Sequence, residues 1–261
     1  MENIIPIFLI SCFSLSIISC AKRDGSSDTT IWSGTKQIGT STSDYGTGVM
    51  FEYSDISFAS GQTNIGLDGN TNSESDDIFL VKYNSSGIKR GTEQLGISDN
   101  ESGISLAVDS FDNIYVTGYT KGELDGNTNS CNYDIFLIKY NSSGIKQWTK
   151  QLGDSATNNG MGMTVDSFDD IYVTGFTNRV LDGNINLGGE DIVFMKYNSF
   201  GTKQWTKQLG LSASDFALDV TVDSSDNIHV IGFTNSSFDE NFEHLSDDIF
   251  LVKYNSDGVK Q

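Results

Sequence analysis

One spacing governs this chain, a step of 57 residues. Asn-Ser-x-Gly turns end at Gly87, Gly144, Gly201 and Gly258, each 57 residues after the one before. The same step relates Gly39, Gly96, Gly153 and Gly210, and again Gly61, Gly118, Gly175 and Gly232. Leu67, Leu124, Leu181 and Phe238 follow it too, so four copies align without insertion between residues 34 and 261. A unit repeated at such a period cannot bury its apolar face alone; it folds by stacking on its neighbours.

Each copy reads as four strands. In the second, Ile104 to Val108 leads through Asp109-Ser-Phe-Asp-Asn113 into Ile114-Tyr-Val-Thr-Gly118, which predicts a hairpin with a short polar turn. A longer polar loop, residues 124–133, precedes Asp134 to Tyr140, and Asn141-Ser-Ser-Gly144 turns the chain into a fourth run, Ile145 to Leu152. The third run is apolar at alternate and intervening positions alike (Ile135, Phe136, Leu137, Ile138), as in a strand covered on both faces. The fourth carries Lys146, Gln147, Lys150 and Gln151, the polar dress of an outer edge. A single proline among 27 glycines suits tight turns between strands. The expected fold is all-β: a β-propeller of four 57-residue repeats, each an antiparallel four-stranded blade.

The pattern Val-Asp-Ser-x-Asp-Asn-Ile-Tyr-Val-Thr-Gly, followed by Asp-Ile-Phe-Leu-x-Lys-Tyr-Asn-Ser-Ser-Gly, resembles the bacterial β-propeller repeat family named for seven-bladed propellers (SBBP). The resemblance spans residues 34–261 and implies an exported protein, often a lipoprotein, of a family mostly without known activity. Gln261 falls inside the fourth strand of the last copy, and Gly34-Thr-Lys-Gln-Ile-Gly39 supplies the remainder of that strand pattern. The expectation is therefore a ring closed by the N-terminal segment, which would remove the free sheet edge. An open array, or half of a larger ring made by two chains, is the alternative.

Ahead of the repeats, residues 4–18 are mostly apolar and end in Ile17-Ile18-Ser19-Cys20. The run is short for a membrane span and suits the core of a signal peptide. Ser19-Cys20 resembles the lipobox of bacterial lipoproteins, whose signal peptide is cut before a lipid-bearing cysteine. The expected organisation is a signal peptide over residues 1–19, a lipidated tether over 20–33 and the repeat domain over 34–261. An ordinary secretory signal is the alternative, since Met1-Glu2-Asn3 lacks a basic residue and Pro6 interrupts the apolar run. Two acyl chains at about 0.8 kcal/mol per buried CH₂ hold a protein at a membrane without a spanning helix. The expected location is the cell envelope, with membrane attachment through the lipid alone. By analogy the outer membrane is favoured, because Ala21 is not the aspartate that retains some lipoproteins at the inner one.

A net charge of −19 argues against nucleic acid as a partner. His229 and His244 are the only histidines, which argues against a zinc centre, and no Ser-His-Asp arrangement or nucleophile elbow is visible. The loops between second and third strands carry alternating oxygen donors: Asp68, Asn70 and Asn72; Asp125, Asn127 and Asn129; Asp182, Asn184 and Asn186. Such spacing can wrap Ca²⁺, but Asp-Gly and Asn side chains also close turns by bonding to backbone. Calcium is thus the one candidate cofactor. The acidic long-loop face is expected to meet a protein or glycan partner, making the chain a non-catalytic interaction module. The alternative is a carbohydrate-active hydrolase or lyase using carboxylates of that face. If Cys20 is the lipid-bearing residue, mass spectrometry will find the acyl groups on the wild-type chain and none on Cys20→Ala; an acylated variant would refute it.

Overall fold

Strands form where the 57-residue step puts them. A computed structural model describes residues 34–51, 57–73, 75–96, 99–129, 132–236 and 246–261. Cys20 with the rest of the leader, and Glu74, Cys131 and residues 237–245, lie outside the described residues. The first sheet contains β1 (Asp44–Phe51), β2 (Ser57–Thr63), β3 (Asp77–Tyr83) and β4 (Lys89–Leu95). The second contains β5 (Glu101–Val108), β6 (Ile114–Thr120), β7 (Asp134–Tyr140) and β8 (Lys146–Leu152). The third contains β9 (Asn158–Val165), β10 (Ile171–Thr177), β11 (Asp191–Tyr197) and β12 (Lys203–Leu209). In the fourth are β13 (Asp215–Val222), β14 (Ile228–Thr234) and β15 (Asp248–Tyr254). All are antiparallel meanders, and the one helical element among the described residues is a 3-10 turn at Leu124–Gly126.

The repeated glycine of the second strand has a steric cause. In each sheet the first strand skips a register step near its start, an irregularity at the same place in all four. This brings backbone onto the second strand: a Cβ on Gly61, Gly118, Gly175 or Gly232 would lie 1.8 Å from the carbonyl oxygen of Tyr45, Ser102, Asn159 or Phe216. No side chain fits there.

The core lies between sheets. Phe58, Ile78 and Leu80 of the first sheet pack against Leu106, Ile114, Val116, Phe136, Ile138 and Tyr140 of the second. Tyr115, Ile135 and Leu137 of the second meet Met163, Ile171, Val173, Val193, Met195 and Tyr197 of the third. Tyr172, Ile192 and Phe194 of the third meet Val220, Ile228, Val230, Phe250, Val252 and Tyr254 of the fourth. Each sheet thus has a trailing face, set on the next sheet, and a leading face, covered by the one before. This explains why β3, β7 and β11 are apolar on both sides. The first strands β1, β5, β9 and β13 lie side by side in that order.

Closure differs from expectation. The fourth sheet has three strands plus a single bridge from Tyr254 to Lys260, in place of four strands. Residues 34–43 form no strand, and Ile38 packs on Leu67, Phe79, Val81 and Tyr83 of the first sheet. The leading face of the first sheet exposes Val49 and Phe51, and the trailing face of the fourth exposes Ile249 and Leu251. The described array is therefore open: the trailing face of the fourth sheet and the Val49 and Phe51 part of the first sheet's leading face are uncovered.

Candidate functional site

The long loops hold the alternating Asp and Asn residues, and they fold over the outer strand of their own sheet. Leu124 N–H donates to the Gln151 side chain (3.1 Å), and Lys146 and Thr149 both donate to the Asp125 carboxylate, the lysine at 2.5 Å. In the first sheet Lys89 and Thr92 donate to Asp68; in the third Lys203 and Thr206 donate to Asp182. Asp68, Asp125 and Asp182 adopt left-handed backbone, each followed by a left-handed glycine, a pair of conformations that turns the loop down along the strand. The loop thereby covers an edge that would otherwise be open to strand addition.

The calcium candidates are engaged within their own loops and outer strands. Asn70, Asn127 and Asn184 donate to the carbonyls of Leu67, Leu124 and Leu181. Asn72, Asn129 and Asn186 donate to the carbonyls of Ser75, Asn132 and Gly189. The aspartates face lysines, which hold their carboxyls low: in Asp68 the Lys89 hydrogen bond leads, and in Asp125 and Asp182 burial pushes upward but the lysine and threonine bonds prevail. Among the described residues, no group of three or more His, Cys, Asp or Glu side chains is placed to hold a metal ion.

At the opposite, short-turn end, the repeated Val-Asp-Ser aspartate closes its hairpin. Buried Asp109 accepts from Phe111 N–H and Asn113 N–H (both 2.9 Å), from the Asn113 side chain (2.8 Å) and from Tyr115 Oη (2.9 Å). Lys139 Nζ lies 3.5 Å from the same carboxylate and 5.0 Å from the centre of the Tyr115 ring, and donates to the Ser199 carbonyl of the next sheet (3.1 Å). Asp166, Tyr172 and Lys196 repeat the arrangement. Burial, reinforced by the neighbouring aspartate, raises the hydroxyls of Tyr115 and Tyr172. In the fourth sheet His229 stands in the tyrosine position, 3.3 Å from Asp223, whose carboxyl is held low chiefly by Asn227. It is a strand residue of a structural cluster. Neighbouring sheets are also tied directly, Ser110 to Asp169 and Ser167 to Asp226.

The outer-strand tryptophans are seals. Trp148 leans on Tyr115 and Trp205 on Tyr172 and Phe194. The Asn-Ser-x-Gly turn of the following sheet closes over each, Gly201 against Trp148 and Gly258 against Trp205, so tightly that a Cβ there would stand about 3 Å from the indole.

What the repeat logic missed are positions where one copy departs from the others. The long loop of the third copy exposes Val180, Ile185 and Leu187. The second copy has Glu123, Thr128 and Ser130 at those places, and the first has Gly66, Thr71 and Ser73. Comparing copies for exposed apolar exceptions would have found them. Exposed Phe111, Phe168 and Phe200 mark the short turns in the same way.

Antiparallel sheets recurring at a fixed step and stacked face to face are consistent with β-propeller repeats. The chain carries the SBBP β-propeller repeat three times: the family model, described as "Beta-propeller repeat", matches residues 92–125, 147–181 and 204–239. Among curated proteins it is similar to the regulatory protein FlaEY of Caulobacter vibrioides, 29% identical over 194 residues, which are 68% of this chain and 20% of that protein. It is also similar to an uncharacterized WD repeat-containing protein of Acanthamoeba polyphaga mimivirus, 28% identical over 153 residues, 44% of this chain and 11% of that protein. The chain thus spans a fifth or less of the length of these relatives. Among solved structures, a Bacteroides caccae protein of unknown function aligns with a TM-score of 0.48 at 9% identity, over 84% of this chain and 68% of that one. A glucose dehydrogenase aligns at 0.35 and 8%, over 77% and 83%. Neither score reaches the level at which a shared architecture would carry function.

The aspartate clusters generate a graded expectation. Asp109→Ala leaves Lys139 and the Tyr115 hydroxyl buried without their carboxylate and should cost about 3–5 kcal/mol. Asp223→Ala, at a more open site, should cost far less. Equal losses in denaturant melts would show that burial does not set the strength of these clusters.

Proposed function

We propose that this chain is an interaction module: a framework of stacked sheets that presents the third copy's long loop to a protein partner. The observation that carries this reading is the exposed set Val180, Ile185 and Leu187 within that loop, where the first and second copies carry polar residues or glycine. Exposed apolar residues set among Asp182 and Glu190 offer contact area inside a polar surround, the composition of a docking patch. The constant polar residues of the repeats clasp edges and close turns, and the variable exposed ones distinguish one copy from another. The regulatory designation of the Caulobacter relative agrees with a role exercised through binding. On this proposal the module is held at the cell envelope, with Cys20 as its lipid anchor and the outer membrane as its place.

The test compares wild-type chain with Ile185→Ser/Leu187→Ser as baits under identical conditions, with quantitative mass spectrometry of what each retains. Both side chains are exposed, so the melting temperature should stay within about 1–2 °C of wild type. A specific protein retained by wild type should fall at least tenfold on the variant. An unchanged profile would refute this loop as the contact.

A further inference from the structure

Repeat equivalence makes the two uncovered end faces complementary to each other. Ile78, Ile135 and Ile192 share one position on the trailing face of the first three sheets and are 2%, 3% and 2% exposed. Ile249 holds that position in the fourth sheet and is 83% exposed. Its receiving site is equally defined. A Cβ on Gly103 would meet Ile78 Cγ2 at 2.9 Å, and one on Gly160 would meet Ile135 Cγ2 at 3.0 Å, so these two isoleucines press on a glycine of the next sheet; alanine, Ala217, holds that position opposite Ile192. The equivalent glycine of the first sheet is Gly46, and nothing stands within 4 Å of its Cβ position. The knob and the hole are both present, at opposite ends of the array, and both are empty.

Three further features match. Val49 is 67% exposed, whereas its equivalents Leu106, Met163 and Val220 are buried under the preceding sheet. Ile231 is exposed on the trailing face, where inner sheets have buried Ser60, Thr117 and Thr174. Ile38 packs on Leu67, Phe79, Val81 and Tyr83 as Leu95 packs on the second sheet and Leu152 on the third. Residues around Ile38 therefore stand where the outer strand of a preceding sheet would stand.

We propose that the trailing face of the fourth sheet docks on the leading face of the first sheet of a second copy of this chain, Ile249 of one copy seating on Gly46 of the next. The contact continues the inter-sheet interface that the chain already makes three times, and it brings residues 34–39 of the second copy alongside β15. It is heterologous, joining unlike faces, so it builds a closed ring of copies or a filament according to the rotation at each step.

The test uses the full chain in detergent micelles, with mass measured by light scattering across a concentration series. Wild type is expected to form dimers or larger species as concentration rises. Ile249→Asp spoils every trailing face and Gly46→Leu fills every leading hole, so each variant alone should stay monomeric. Both positions are open in the single chain, so melting of the two variants at low concentration should match wild type. Mixing them restores one competent contact, the Ile249 of the Gly46→Leu copy with the Gly46 of the Ile249→Asp copy, and a one-to-one dimer should appear. Monomeric wild type at every concentration, self-association of either variant at wild-type strength, or a mixture that stays monomeric would each overturn the proposal.

Discussion

Face-to-face burial between successive sheets is the interaction on which everything else in this molecule depends. A single meander of four short strands exposes apolar residues on both faces and has no core of its own. The isoleucine that opens the third strand, the β-branched residues of the second strand and the aromatics of both become buried only when a neighbouring sheet arrives. Gly103 beneath Ile78 and Gly160 beneath Ile135 let the sheets approach closely, and the register skip of the first strand is what makes the second-strand glycine obligatory. Stability of this kind is a sum of unit and neighbour terms, so it grows with each interface added.

Polar residues enforce that stacking. The Asp109 and Asp166 clusters shape the hairpins, while Lys139 and Lys196 reach from them to the next sheet's turn at Ser199 and Ser256. On the outside, the Asp68, Asp125 and Asp182 loops clasp the outer strands through lysine and threonine. Both ends of the second and third sheets are thereby committed to structure, and what remains for recognition is what varies between copies.

Strand positions were legible in the sequence because period and alternation depend on each unit alone. The second-copy hairpin, the doubly covered third strand and the polar fourth strand all stand where alternation placed them. The long loops were harder. Asp125-Gly-Asn127-Thr-Asn129 reads equally as a cation loop or a turn, and only the path of the loop along β8 puts Lys146 and Thr149 against the carboxylate. Closure was also out of reach of local pattern. Gly34 to Gly39 carry the outer-strand residues, but where that segment packs depends on how the end sheets are placed, a long-range property on which the 57-residue step is silent. Exposed Ile185 and Leu187 were hidden for the opposite reason, since attention to what repeats passes over what does not.

Ile78, Ile135, Ile192 and Ile249 offer the most direct test that burial between sheets holds the fold, for they share residue type, strand and position. Denaturant unfolding of Ile135→Ala and Ile249→Ala, at concentrations low enough to keep the chain monomeric, isolates the interface. The account predicts a loss of about 2–5 kcal/mol for Ile135→Ala, the ordinary cost of emptying a core isoleucine site, and a change within about 0.5 kcal/mol for Ile249→Ala. Equal losses at the two positions would contradict it, because an isoleucine without a sheet over it would then matter as much as one beneath.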